Sequence, residues 1–110
     1  MSLFHLILGA AAIVGAALVI ASLCSSTVFD YINNLISDLK SRFGAKQVQK
    51  DCVAVMVKEY LDNGNVTVIG GVFDQTADAW VDNEAWTANK LDSDLENEFG
   101  ENEYVTYTIT

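Results

Sequence analysis

His5, Cys24 and Cys52 are the one imidazole and the two thiols of this sequence, the side chains best suited to nucleophilic or soft-metal chemistry. A nucleophile needs a base within hydrogen-bond reach. His5 sits near the start of a long apolar run, far in sequence from the acidic half, and reads as an interfacial residue rather than a base. Two cysteines without a supporting histidine do not make a zinc set. Cys24, at the far edge of the same run, reads as a plain thiol, with a lipid or an intermolecular disulfide as the other options. Cys52 opens a strand. Gly70-Gly71 lacks the Lys and Ser/Thr that follow the glycines of a phosphate loop.

The carboxylates fall in two groups: Asp74, Asp78, Asp82 and Glu84 around one loop, and Asp92, Asp94, Glu96 and Glu98 at a helix start. Calcium takes such oxygen ligands, but Asp74-Gln-Thr-Ala-Asp78 lacks the alternating acids, glycine and distal Glu of a helix-loop-helix site. These acids read as solvated surface and as compensation for a helix dipole. No catalytic, cofactor-binding or metal residue is assigned, no cofactor is expected, and the chain is expected not to be an enzyme. A third set is aromatic. Trp80, Trp86 and Tyr104 could line a ligand pocket or meet a partner, with Trp80 and Trp86 on one face if their segment is extended. In so small a domain such residues are more often core.

Charge divides the chain that must position these groups. The net charge is −9 over 110 residues, yet residues 1–50 carry +2 and residues 51–110 carry −11. An acidic half of this strength repels nucleic acid and anionic headgroups and favours basic partners. With 51% apolar residues, no proline and two cysteines, the chain is neither collagen-like, proline-rich nor a disulfide-stapled miniprotein.

Leu3 to Leu23 holds no Asp, Glu, Lys or Arg. As a helix it would span roughly 31 Å, close to the ~30 Å core of a bilayer. The expectation is a retained, single-pass membrane anchor over residues 1–26. A cleaved signal sequence, with the mature chain starting near Thr27, and a buried core helix are the competing readings. Within the run, Ala11 and Gly15, and Ala12 and Ala16, make small-xxx-small steps that suit helix association in lipid. Basic residues flank only the C-terminal side, at Lys40, Arg42, Lys46 and Lys50, which places the body in the cytoplasm.

Residues 27–44 repeat apolar side chains at helical spacing. Val28, Ile32, Leu35 and Leu39 form a stripe widened by Phe29, Ile36 and Phe43. Thr27 is the expected cap and Gly44 the stop. The stripe faces the chain's own domain, a partner helix or the membrane surface, in that order of preference.

Residues 45–110 read as an acidic domain. Gly44–Asp51 is a polar connector. Cys52–Tyr60 and Val66–Phe73 are strands joined by the Asp62-Asn-Gly-Asn65 turn, and together form an antiparallel hairpin. Gly70-Gly71 marks a bulge or a close backbone approach. Residues 79–87 hold one short strand or two fragments. Ser93 and Glu96 form a capping box for a helix ending at Gly100, and Tyr104–Ile109 alternates as a last strand. The expected class is thus α+β: a transmembrane helix, an amphipathic juxtamembrane helix, and a small β-β-(β)-α-β domain.

The leading functional expectation is a membrane-anchored, non-enzymatic protein presenting the acidic domain to a protein partner, as an accessory subunit or a homo-oligomer. A membrane-tethered ligand sensor and an exported soluble protein are the alternatives.

Overall fold

The computed structural model describes residues 18–110. Within them lie three helices and a five-stranded mixed sheet, an α+β fold. In chain order the elements are β1 (Val19–Ile20), α1 (Ser25–Phe43), α2 (Ala45–Asp51), β2 (Cys52–Tyr60), β3 (Val66–Asp74), β4 (Ala79–Ala88), α3 (Ser93–Phe99) and β5 (Tyr104–Thr108). The sheet order is β1-β4-β3-β2-β5. Every pair is antiparallel except β1 with β4.

The β2–β3 hairpin is the centre of this sheet. Its turn is closed by Asn63, whose side-chain oxygen accepts from the Asn65 amide at 2.9 Å, and by Gly64 at φ +89°. Register then follows from the turn: Tyr60 faces Val66 and Cys52 faces Asp74. β4 continues the meander as one strand of ten residues, with a register shift opposite Val72/Phe73 that leaves Val81 as the extra residue.

Helix α1 lies on one face of the sheet. Its Val28, Ile32 and Leu39 are 0%, 3% and 2% exposed, with Leu35 half-buried beside them. Each such side chain contributes roughly 1.5–3 kcal/mol on burial. Gly70 admits the helix: a Cβ there would stand 2.9 Å from Val28 Cγ1 and 3.2 Å from Ile32 Cδ1. Gly71 answers to the neighbouring strand instead, since its Cβ would meet the Asp82 carbonyl oxygen at 2.3 Å and Asn83 Cα at 2.8 Å. The glycine pair therefore serves both a close helix and an irregular strand.

Several expectations need correction. The apolar run Leu3–Leu23, read as one helix, is not helical over its described end. Val19 and Ile20 pair in parallel with Thr87 and Ala88, and Leu23 bridges to Leu91. Three backbone bonds hold this stretch: Asn89 N–H to Ile20 O, Leu23 N–H to Lys90 O and Asp92 N–H to Leu23 O. Leu23 is fully buried in the same core as α1, so the anchor expected over residues 1–26 would have to surrender its last part to the domain. The remainder, including Ala11, Ala12, Gly15 and Ala16, lies outside the described residues. No helix among the described residues is long and apolar enough to cross a membrane.

The other corrections are local. The connector before Cys52 is helical over Ala45–Asp51, and its Val48 is buried in the core. Helix α1 begins at Ser25, before Thr27. The cap of α3 is Asp92 rather than Ser93, with Oδ1 accepting from the Leu95 amide at 2.8 Å. Its Oδ2 also accepts from the Ser25 amide at 3.4 Å, so one carboxylate serves the first turns of α1 and α3. Both are orphan amides at the positive end of a helix dipole, where an anion is favoured.

Candidate functional site

The end of the sheet where β2 starts and β3 stops carries a notch of about 200 Å³. Its apolar walls are Leu39 and Phe43 of α1, Val48 of α2 and Val81 of β4; Asp51, Cys52 and Asp74 bring polar groups to it. Each element delivers its residue for a local reason. Gly44, at φ +91°, breaks the helical run so that α2 turns back along α1 and puts Asp51 at the head of β2. The hairpin register sets Asp74 directly across from Cys52. The β4 bulge leaves Val81 out of the regular pairing at 38% exposed, and Phe43 stands out at 57%.

The two carboxylates are held by neutral donors. Asp51 accepts from the Gln47 side-chain amide and, at 3.0 Å, from the Thr76 hydroxyl. Its carbonyl accepts from the Gln75 amide at 2.8 Å, tying the β3–β4 loop to the end of α2. Asp74 Oδ1 accepts from the amides of Thr76 and Ala77, both at 2.9 Å. Neutral donors fix the geometry without cancelling the charge. The one ion pair among the described residues, Arg42 with Asp38 at 3.4 Å, is exposed on α1.

Burial, then Asp74, then Asp51 push the Cys52 thiol above its usual range. A thiol so placed stays protonated at neutral pH, whereas a nucleophilic cysteine needs its thiolate favoured. Cys24, at the residue before α1, is a free, exposed thiol. Neither cysteine has an imidazole beside it among the described residues, and no group of three or more metal-ligating side chains converges there.

The sequence-derived aromatic set does not come together. Trp80 pairs across from Phe73 on one face of the sheet and contacts it edge-on at 5.8 Å. Trp86 lies across from Val68 on the opposite face and meets Tyr31 edge-on at 5.7 Å. Six residues apart on an ideal strand they would share a face; the extra residue at Val81 reverses the parity. Tyr104 is at the far edge, level with Val57 on β5. The acids are likewise spread. Asp92 caps, Asp94 and Glu96 occupy the first turn of α3, and Glu98 accepts from the Tyr107 hydroxyl at 2.5 Å. Asp82 and Glu84 lie near Tyr31 and, after burial, help push its phenol up to about 12.

In the sequence Asp74 stands out only as a member of the loop carboxylates weighed against calcium, Phe43 only as part of the helical stripe, and Asp51 only as the end of a connector. One signal was available: counting outward from Asn63, the middle of the three-residue loop 62–64, pairs residue 52 with residue 74, and so puts two acids around one strand end. Comparison with protein-family models, curated proteins and solved structures finds no match.

Proposed function

We propose that this domain is a non-catalytic binding module whose notch takes a basic side chain of a protein partner. The supporting observation is the pairing of apolar walls with two ordered, charge-retaining carboxylates at the mouth of one cavity. Lysine and arginine bury an aliphatic stem while keeping the charged head in polar surroundings. Phe43 offers the stem an exposed ring and Asp51 and Asp74 receive the head. The wider field points the same way, since residues 51–110 carry −11 and such a field speeds encounter with cationic surfaces. In this reading Cys52 is a buried wall of the notch and takes no part in chemistry.

Titrating the isotope-labelled full chain with short lysine- or arginine-containing peptides tests this. Shifts are expected to centre on Phe43, Val48, Asp51, Asp74 and Val81, to fall with added salt, and to vanish in an Asp51→Asn/Asp74→Asn variant. Equal shifts with an uncharged peptide of the same length, or shifts centred elsewhere, would refute the assignment.

A further inference from the structure

Among the described residues β5 is the outermost strand of the sheet. The direction of its backbone groups follows from one bond. Lys58 N–H donates to Glu103 O at 2.8 Å, and bonded and non-bonded pairs alternate along an antiparallel ladder. Val105 and Tyr107 therefore turn their N–H and C=O groups to Met56 and Ala54, while Thr106 and Thr108 turn theirs outward. No described residue hydrogen-bonds to either threonine from that side, and both are exposed.

Such an edge is a template for another strand, and folds blunt it with proline, charge, a bulge or a very short strand. At the other end of the sheet order β1 is two residues long. β5 has none of these devices. Tyr-Val-Thr-Tyr-Thr carries no charge and no proline, and its register with β2 runs unbroken from Val57–Tyr104 to Val53–Thr108.

The flank of this edge is apolar. On the α1 side a groove of about 330 Å³ lies between the helix and the end of β5, with Phe29, Ile36 and Tyr107 among its walls. All three are half-buried, and Phe29 meets the Tyr107 ring edge-on at 5.7 Å. Charge marks the two ends differently. Glu101 and Glu103 precede the strand and are exposed. Lys40, beyond the far end, donates to the Thr110 carbonyl at 2.5 Å and has no carboxylate partner among the described residues. The edge is thus acidic at its start, neutral along its length and cationic at its end. A copy of the same edge laid antiparallel matches it at both ends, whereas a parallel copy sets acid on acid.

We propose that β5 pairs antiparallel with β5 of a second copy of this chain about a two-fold axis, joining the two sheets into one. With Tyr107 opposite Tyr107 on the axis, Thr106 of each copy exchanges its outward backbone bonds with Thr108 of the other. Threonines suit cross-strand pairs, and Thr67 and Thr87 already pair this way within the sheet, hydroxyl to hydroxyl at 2.8 Å. Glu103 then comes to the far end of the other copy's strand, beside its Lys40. The contact is isologous and closes on itself. At ~0.15 M salt the Debye length is about 8 Å, which screens the repulsion between the chains at long range and leaves neighbouring opposite charges attractive. This inference does not depend on the basic-partner reading, and it uses neither Asp51 nor Asp74.

Sedimentation of the full chain over a range of concentrations, with amide exchange read residue by residue, tests it. A concentration-dependent dimer is expected, in which the Thr106 and Thr108 amides slow severalfold. Those of Val105 and Tyr107, already bonded to β2, should change little. Thr106→Pro takes away only an outward N–H, which edge strands tolerate, and should abolish the dimer with the β2–β3 hairpin signals in place. Lys40→Glu should weaken association severalfold, and Glu101→Lys/Glu103→Lys in that background should restore it. Should a substituted chain fail to fold, the exchange pattern of the parent decides alone. Three outcomes overturn the proposal: a monomer at every concentration, a dimer whose Thr106 and Thr108 amides still exchange freely (another surface joins the copies), and slow exchange of those amides that does not change with concentration (another part of the same chain holds the edge).

Discussion

Gly70 and Gly71 stand side by side in β3 and serve opposite faces of the sheet. On Gly70's face the obstacle to a side chain is the soft tip of Val28 or Ile32; on Gly71's face it is the backbone of β4. One face is thus closed by side chains that interlock and can yield. The other owes its shape to an irregular strand that cannot move without breaking its ladder. The difference teaches that adjacent identical residues, each needed for want of a Cβ, carry quite different costs of replacement.

The largest effect is expected where backbone is struck. Gly71→Ala should lower unfolding stability by about 3 kcal/mol, at the upper end of overpacking costs, as measured by denaturant melts. A loss no greater than that of Gly70→Ala would erase the distinction drawn between the faces. Asp92→Ala removes the cap shared by α1 and α3, both of which cover Gly70's face, and should cost about 2 kcal/mol, the high end for one cap. Asp92→Asn keeps the acceptor without the charge and should recover most of that loss; equal damage from both would mean that the charge alone matters.

Gly70→Ala should cost about 1–2 kcal/mol, because side-chain tips can give. Its partner test is sharper. Adding Val28→Ala should cost less in that background than in the parent, since it opens the space the new methyl needs. Strict additivity would show that α1 does not approach Gly70 as closely as described.

The smallest effect is on pH dependence. Tyr31 of α1, edge-on to Trp86, has its phenol raised to about 12, and burial with the Glu98 hydrogen bond raises Tyr107 as well. Both are acids that bind their proton more tightly when folded. Their contribution is therefore complete below the unfolded phenol value near 10 and is lost as pH climbs through the folded values. Stability should decline above about pH 10, and Tyr31→Phe should flatten that decline. An unchanged alkaline slope in Tyr31→Phe would remove Tyr31 from the account.

How far the fold could be read in advance depended on range. The hairpin was legible because Asn63 and Gly64 fix the register of every pair behind them. The α1 stripe was legible because Val28, Ile32, Leu35 and Leu39 repeat with the helix period. Asp92 and Ser93 are both good caps one residue apart, and the folded chain puts Asp92 in the extended conformation from which its carboxylate reaches the Leu95 amide. β1 was not legible at all. Its partners Thr87 and Ala88 lie more than sixty residues away, and an apolar dipeptide inside an apolar run has no local mark of being a strand. The candidate notch was half legible: its acids could be paired by counting, but the turn that brings Phe43 and Val48 over them could not.

The sequence by itself therefore settled what local rules govern: the charge division, the central hairpin, the amphipathic helix and the need for small residues at 70 and 71. Tertiary structure alone decided where Leu18–Cys24 belong, which faces Trp80 and Trp86 take, and which acids share a cavity. The physical reason is that turn geometry and helical period act between near neighbours. Edge pairing, the parity change at a bulge and the convergence of three elements depend on contacts between distant parts of the chain, and those are fixed only when the whole is folded.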